Sequence, residues 1–295
     1  MHIKKKLERI VLGSAQFGLP YGISNENGKT DEEEVFLILS EAVKLGITYL
    51  DTAPSYGNSE EVLGKVGLKN WNIVSKLPSI PKLEGDIRGW IFRSVASSLE
   101  KLKVPYLQGL MMHRPLDLLG TNGEKIYDSL LELKTQGLVK ELGISIYSPE
   151  EIILINTNFK FDSIQAPFNI LDRRILDSKK LKLKKEKFKT YVRSVFLQGL
   201  LLMSKEKRPS YFHKWNPVLD RWLEWLKKED QSAVSSCINF ALLQPDVDYV
   251  VVGVNNLLHF REIIHSVECN SKIPPNFLMS QDLNLINPTR WKIHE

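Results

Sequence analysis

Short apolar runs alternate with longer amphipathic stretches along the whole chain. Eight of the runs have the length and β-branched character of buried strands. They are Ile10–Gly13, Thr48–Asp51, Asn72–Lys76, Leu107–His113, Val139–Ser145, Ser163–Pro167, Thr190–Ser194 and Tyr249–Gly253. Helical periodicity fills the gaps. Val35, Ile38, Leu39, Ala42 and Val43 mark one face of a helix that Thr30 to Glu33 opens as a capping box and Gly46 closes. Ser59-Glu-Glu61 predicts a second helix capped by Ser59, with acid in its first turn. Ile87, Trp90, Ile91, Val95, Leu99 and Leu102 stripe a third, and a fourth ends near Gly137. Ser148-Pro-Glu-Glu151 opens another with an N-cap, a proline in the first turn and Glu at N3.

Eight strand–helix units predict an α/β fold of the (β/α)₈ TIM-barrel type, read as one domain over residues 1–295. A doubly wound open sheet is the alternative, and it usually brings a glycine-rich phosphate loop. No two of the 17 glycines are spaced Gly-x-Gly, which favours the barrel. Residues 2–9 read as a small lid over the barrel floor. Residues 200–230 form a long loop after strand seven that carries Trp215, Trp222 and Trp225. Such a loop is a place for substrate selection. Packing of Trp222 and Trp225 from one helix face is the plainer account. The tail beyond Ile273 is a candidate to fold over the same mouth.

The net charge of +5 arises partly from lysines at 4–6 and between Leu181 and Lys189. Neither run contains a nucleic-acid motif, so both read as solvated faces and no nucleic-acid partner is expected. The two cysteines make no framework, which suits a reducing compartment. The apolar Ile10–Leu12 is too short for a signal segment, and no run reaches the length of a membrane span. A cytoplasmic protein without membrane contact is the expectation. Oligomeric state is not legible.

Barrel sites gather residues from the C-terminal ends of strands. Asp51, Lys76 and His113 end predicted strands two, three and four, and Tyr56 follows Asp51 in the next loop. These four suit one task. Carbonyl reduction needs a proton delivered to oxygen, and a tyrosine can deliver it when a nearby ammonium lowers its pKa. Lys76 supplies the charge, Asp51 holds Lys76, and His113 orients the carbonyl oxygen.

Asp51-Thr-Ala-Pro-Ser-Tyr-Gly-Asn-Ser-Glu-Glu-Val-Leu-Gly64 strongly resembles a segment of the aldo-keto reductase family. Val74-Ser-Lys76, Met112-His113-Arg-Pro115, Leu142–Ser145, Gln165–Asn169, Arg193–Leu200 and Val252–Val254 resemble further family segments in order, over roughly residues 8–268. The resemblance implies a (β/α)₈ barrel that transfers hydride between a nicotinamide cofactor and an aldehyde or ketone. It implies Asp51, Tyr56, Lys76 and His113 as catalytic residues. It also implies a cofactor site of Ser14, Asp51, Ser145, Gln165, Arg193, Ser194, Val195, Phe196, Gly199, Leu200, Gly253, Asn255, His259 and Glu262. Within it, Ser145 and Gln165 hold the carboxamide, Ser194 to Leu200 line the pyrophosphate, and Gly253 to Glu262 take the adenosine end.

Three positions depart from the family pattern. Ile146 stands where many relatives have Asn. Arg193 stands where relatives often stack an aromatic ring on the nicotinamide. The eighth loop offers only His259 and Arg261 as cations for a 2′-phosphate. NADP is the family's default, with NAD or dual use open. The substrate is a small-molecule carbonyl, with Phe17, Tyr21 and Phe168 as candidate pocket aromatics and Arg114 or Arg193 to meet an anionic group. The competing reading is a catalytically idle nucleotide-binding barrel that serves a partner. A metal hydrolase is disfavoured because the six histidines form no His-x-His or His-Glu-x-x-His, so no metal is expected. A glycosidase needs a second strand-end carboxylate opposite Asp51.

Overall fold

A computed structural model describes residues 3–81, 84–177 and 188–293. Its centre is a closed barrel of eight parallel strands in chain order. The strands are β1 (Ile10–Gly13), β2 (Tyr49–Asp51), β3 (Asn72–Leu77), β4 (Leu107–Met112), β5 (Val139–Ser145), β6 (Ser163–Pro167), β7 (Lys189–Arg193) and β8 (Tyr249–Gly253). The longer helices are α1 (Ile3–Leu7), α3 (Glu32–Lys44), α4 (Ser59–Val66), α5 (Ile87–Leu102), α6 (Gly123–Thr135), α7 (Pro149–Asn156), α9 (Asn216–Lys228), α10 (Ala233–Leu242) and α11 (Leu257–Glu268). Three single turns are also helical among the described residues: α2 (Ala15–Gly18), α8 (Arg174–Asp177) and α12 (Leu283–Ile286). The barrel predicted from the alternating pattern is therefore present. No helix among the described residues is long and apolar enough to cross a membrane.

The strands are buried on both faces, and side chains alternate between them. Val11, Val74, Met111, Tyr191 and Val251 form a cluster inside the barrel. Ile10, Leu12, Ile73, Leu110, Met112 and Val250 belong to the outer core. Every second strand residue thus points inward, the odd-numbered ones on β1, β4, β7 and β8 and the even-numbered ones on β3. This parity decides which side chains can reach the mouth.

Helix starts partly follow the sequence. Ser148 forms the expected capping box with Glu151, worth about 1 kcal/mol. Two predicted caps are displaced by tertiary contacts. Asp31, not Thr30, caps α3, and the Thr30 hydroxyl donates to the Asn255 carbonyl at 3.0 Å. Asn58 precedes α4, and Ser59 is buried against Ser14. Glu60 is not a surface charge serving the helix dipole. It is buried and accepts from the Ser75 and Ser98 hydroxyls.

The N-terminal turn α1 packs near the end of α11, where the Lys6 ammonium donates to Asn239 Oδ1 and the Val267 carbonyl. Lys6 is thus tied down rather than solvated. Of the second lysine run, residues 181–187 lie outside the described residues, and Lys189 pairs with Glu141 at 2.6 Å.

In the loop after β7, Leu202 lines the cavity described below, while the tryptophans pack. The Trp222 indole is 1% exposed, donates to the Leu201 carbonyl at 2.9 Å and stacks on Trp225. Trp215 donates to Asp282 in the tail, and Tyr211 donates to the Asn284 carbonyl. The described part of the tail therefore seals this insertion and does not line the cavity at the mouth.

Candidate active site

Strand parity brings one residue per strand to the mouth. β1 to β4 deliver Gly13, Asp51, Lys76 and, one residue past its end, His113. β5 to β8 deliver Ser145, Gln165, Arg193 and Gly253. All eight line one cavity of about 350 Å³. Ladder register keeps neighbours level: Gly13 pairs with both Asp51 and Gly253, and Ser145 with Gln165.

Lys76 is the centre of the polar network. It is 2% exposed, and its ammonium donates to Asp51 Oδ2 at 2.7 Å and to the Thr52 carbonyl at 3.0 Å. Asp51 Oδ1 accepts from Gln165 Nε2 at 2.6 Å. One carboxylate therefore ties β3 to β6 across the barrel. Gln165 is fully buried, and its Oε1 has no hydrogen-bond partner. An unpaired buried acceptor is costly and suits a ligand N–H.

Tyr56 is held over Lys76, with its ring centroid 4.9 Å from the ammonium. Its loop is built by close backbone packing against α2. A Cβ on Gly18 would lie 1.8 Å from the Tyr56 carbonyl, and one on Gly57, at φ +58°, would lie 2.3 Å from the Gly18 carbonyl. Only glycine fits both positions. Ser59 fastens the loop's far end by donating to the Ser14 carbonyl at 2.9 Å.

The electrostatics differ from the expectation for Tyr56. Burial raises its pKa above the ordinary phenol value, the Lys76 charge pulls it down, and Asp51 adds to the rise. The net direction is up, so the ammonium moderates the phenol without making it a strong acid. Burial alone would lower the Lys76 pKa. The charges and hydrogen bonds of Asp51 and Tyr56 outweigh burial and leave it raised, so the amine stays protonated. His113 is lowered to about 4 by burial and by the Lys76 and Arg193 charges. Its imidazole is neutral at pH 7 and offers one N–H donor.

Ser14, Ser194, Val195, Phe196, Gly199, Asn255, His259 and Glu262 line the same cavity. Leu200 does not: it is 1% exposed and turned into the core. Backbone after β7 is left-handed at Ser194, Leu197, Gln198 and Gly199. A Cβ on Gly199 would lie 1.8 Å from Ser24 Oγ, so this loop closes tightly on the loop after β1. Of the candidate aromatics, Tyr21 reaches the cavity. Phe17 is fully buried, and Phe168 stacks on Phe240 in the core. Arg114 is largely exposed beside Asp117 and does not line the cavity. Arg193 does line it, with its guanidinium 4.3 Å over the Tyr147 ring and bonded to the Ile146 carbonyl. The Ile146 side chain is buried in the outer core.

Sequence reasoning missed Gly13, Gln16 and Tyr147 as lining residues, while Gln198 falls within the expected stretch from Ser194 to Leu200. Counting every second residue along β1 would have found Gly13. Gln16 sits in the single turn α2 and Tyr147 on a loop, where no strand period applies. Among the described residues, no group of three His, Cys, Asp or Glu side chains is arranged to hold a metal.

Residues 9–274 match the family model described as the aldo/keto reductase family. The uncharacterized oxidoreductase YqkF of Bacillus subtilis (strain 168) is 26% identical over 257 residues, covering 80% of this chain and 83% of that protein. The NADH-specific methylglyoxal reductase of Escherichia coli (strain K12) is 28% identical over 188 residues, 57% of either chain. The solved holo form of aldo-keto reductase AKR11C1 from Bacillus halodurans superposes with a TM-score of 0.72 at 22% identity. That match covers 90% of this chain and 88% of that one, and it is a likeness of fold.

Proposed function

This chain belongs to the aldo/keto reductase family, and we propose that it reduces an aldehyde or ketone with a nicotinamide cofactor, Tyr56 donating the proton. Family membership and relatives named as oxidoreductases support carbonyl–alcohol oxidoreduction. The observation that carries the finer reading is the buried Lys76 ammonium, clamped by Asp51 at 2.7 Å and lying beside the Tyr56 ring. A relative named as a methylglyoxal reductase supports a small carbonyl substrate.

The cavity fits a nicotinamide. The unpaired Gln165 Oε1 is an acceptor suited to a carboxamide N–H, with Ser145 level with it on the next strand. Bound, the reduced cofactor supplies a hydride to the carbonyl carbon. The protein's share is proton delivery and orientation. The raised pKa of Tyr56 keeps the phenol protonated before reaction, as a general acid requires. As the hydroxyl releases its proton to the carbonyl oxygen, the fixed Lys76 charge stabilises the phenolate that develops. Asp51 holds the ammonium protonated and aimed. Neutral His113 donates its N–H to the same carbonyl oxygen.

The test is Tyr56→Phe. Turnover on an aldehyde panel should fall by about 10²–10⁴-fold, the scale of a lost general acid. Nucleotide affinity, read by fluorescence titration, should stay within about threefold, since the hydroxyl is assigned to the substrate oxygen rather than to nucleotide binding. Unchanged turnover would remove Tyr56 from the acid role.

A further inference from the structure

The cavity does not end at the barrel mouth. α11 lies outside the barrel wall, yet His259, Glu262 and Ile263 line the same cavity as Lys76 and His113. A nicotinamide dinucleotide whose reactive ring meets the quartet therefore has its adenosine end beside the start of α11. This step rests on the proposed cofactor chemistry. What it adds is which nucleotide that end accepts.

The first turn of α11 is already engaged, partly by an anion. The Glu34 carboxylate, from the first turn of α3, accepts the backbone N–H of Leu257, the first residue of α11. Asn256 takes the N–H of His259 at 2.8 Å. A helix start normally welcomes a phosphate through these groups. Here a carboxylate stands on one of them and repels a second anion.

The one arginine in this stretch faces elsewhere. Residues 259, 262 and 263 share a helical face, and Arg261 projects from another. Its guanidinium forks onto Glu41 of α3, with Nε to Oε1 at 2.9 Å and Nη2 to Oε2 at 2.7 Å. Glu262 adds a carboxylate to the cavity wall, and Asn255 is neutral. The fixed cations among the described lining residues are Lys76 and Arg193, and both stand at the catalytic end.

We propose that this chain selects NADH over NADPH, with Glu34 and Glu262 rejecting a 2′-phosphate that no fixed cation receives. Direct titration of the purified full chain with each nucleotide, by calorimetry or fluorescence quenching, tests it without reference to turnover. NADH should bind at least about tenfold more tightly, a preference set by repulsion as much as attraction. Glu34→Gln should narrow the ratio of the two affinities by about two- to fivefold, the scale of one charge at a helix start. Asn255→Arg should raise NADPH affinity by about tenfold by adding a phosphate partner. A merely structural loss would weaken both nucleotides together and leave their ratio alone. Equal affinities, or tighter NADPH, would overturn the selectivity and leave the reductase reading standing. Binding of neither nucleotide would overturn both. A ratio unmoved by either substitution would overturn the assignment to this end of the cavity.

Discussion

At the barrel mouth, the Tyr56 ring lies 4.9 Å from the Lys76 ammonium and borders an open cavity. Lower in the same barrel, Tyr49, Tyr249 and Tyr191 stack ring on ring, with centroids 4.8 and 4.6 Å apart. Tyr56, Tyr191 and Tyr249 all lie above the ordinary phenol value, but the causes differ. Burial raises Tyr56, and Lys76 opposes it. Burial raises Tyr191 too, and neighbouring Tyr249 and Glu141 push the same way, with no cation against them. Burial alone makes a phenol a poorer acid. A proton donor needs a fixed cation to stabilise its product anion and a space in which to meet a substrate. The lower tyrosines do not line that cavity and serve as packing.

The widest separation between the two groups should appear in turnover. Tyr191→Phe keeps the ring, so kcat should stay within about twofold, against the drop of about 10²–10⁴-fold for Tyr56→Phe. Steady-state assays on both variants check this, and equal losses would erase the distinction. Stability should show the next effects. Lys76→Met leaves Asp51 as a buried charge whose cation is gone, and should lower the unfolding free energy by about 3–5 kcal/mol. Adding Asp51→Asn should recover part of that loss in urea denaturation. No recovery would mean the pair is not the source. Tyr191→Ala removes a fully buried ring from the interior cluster and should cost about 3–5 kcal/mol by the same measurement.

The smallest effect concerns pH. His113 is lowered from the ordinary histidine value of 6.5 to about 4. Between those values the unfolded chain binds a proton that the folded chain does not. Stability should therefore fall as pH drops from 6.5 towards 4, and this contribution should be flat above 6.5. The Tm of His113→Gln should fall less steeply across that window than the wild type. Matching slopes would place the pH dependence elsewhere.

Much of the molecule was readable from its residues. Each strand was visible because both faces are buried, so the apolar runs stand out between polar helix faces. Asp51, Lys76 and His113 were visible because each interrupts such a run at its end. Other features escaped for particular reasons. Thr30 and Ser59 look like ideal caps, but distant partners, the Asn255 carbonyl and Ser14, take their hydroxyls. Phe17 and Phe168 were placed near the mouth on hydrophobicity, which says that a ring is buried but not against what. The tryptophans after β7 invited a substrate role and instead hold the insertion and tail together.

Sequence order and period were enough to determine the barrel and the strand-end residues Asp51, Lys76 and His113, because the burial pattern along a strand is a local rule. Only the tertiary structure decided the balance of charges. Whether Lys76 outweighs burial at Tyr56, and whether Arg261 faces a phosphate or Glu41, depends on groups far apart in the chain and close in space. Coulomb interaction follows that spatial distance and the local dielectric, neither of which the order of residues carries.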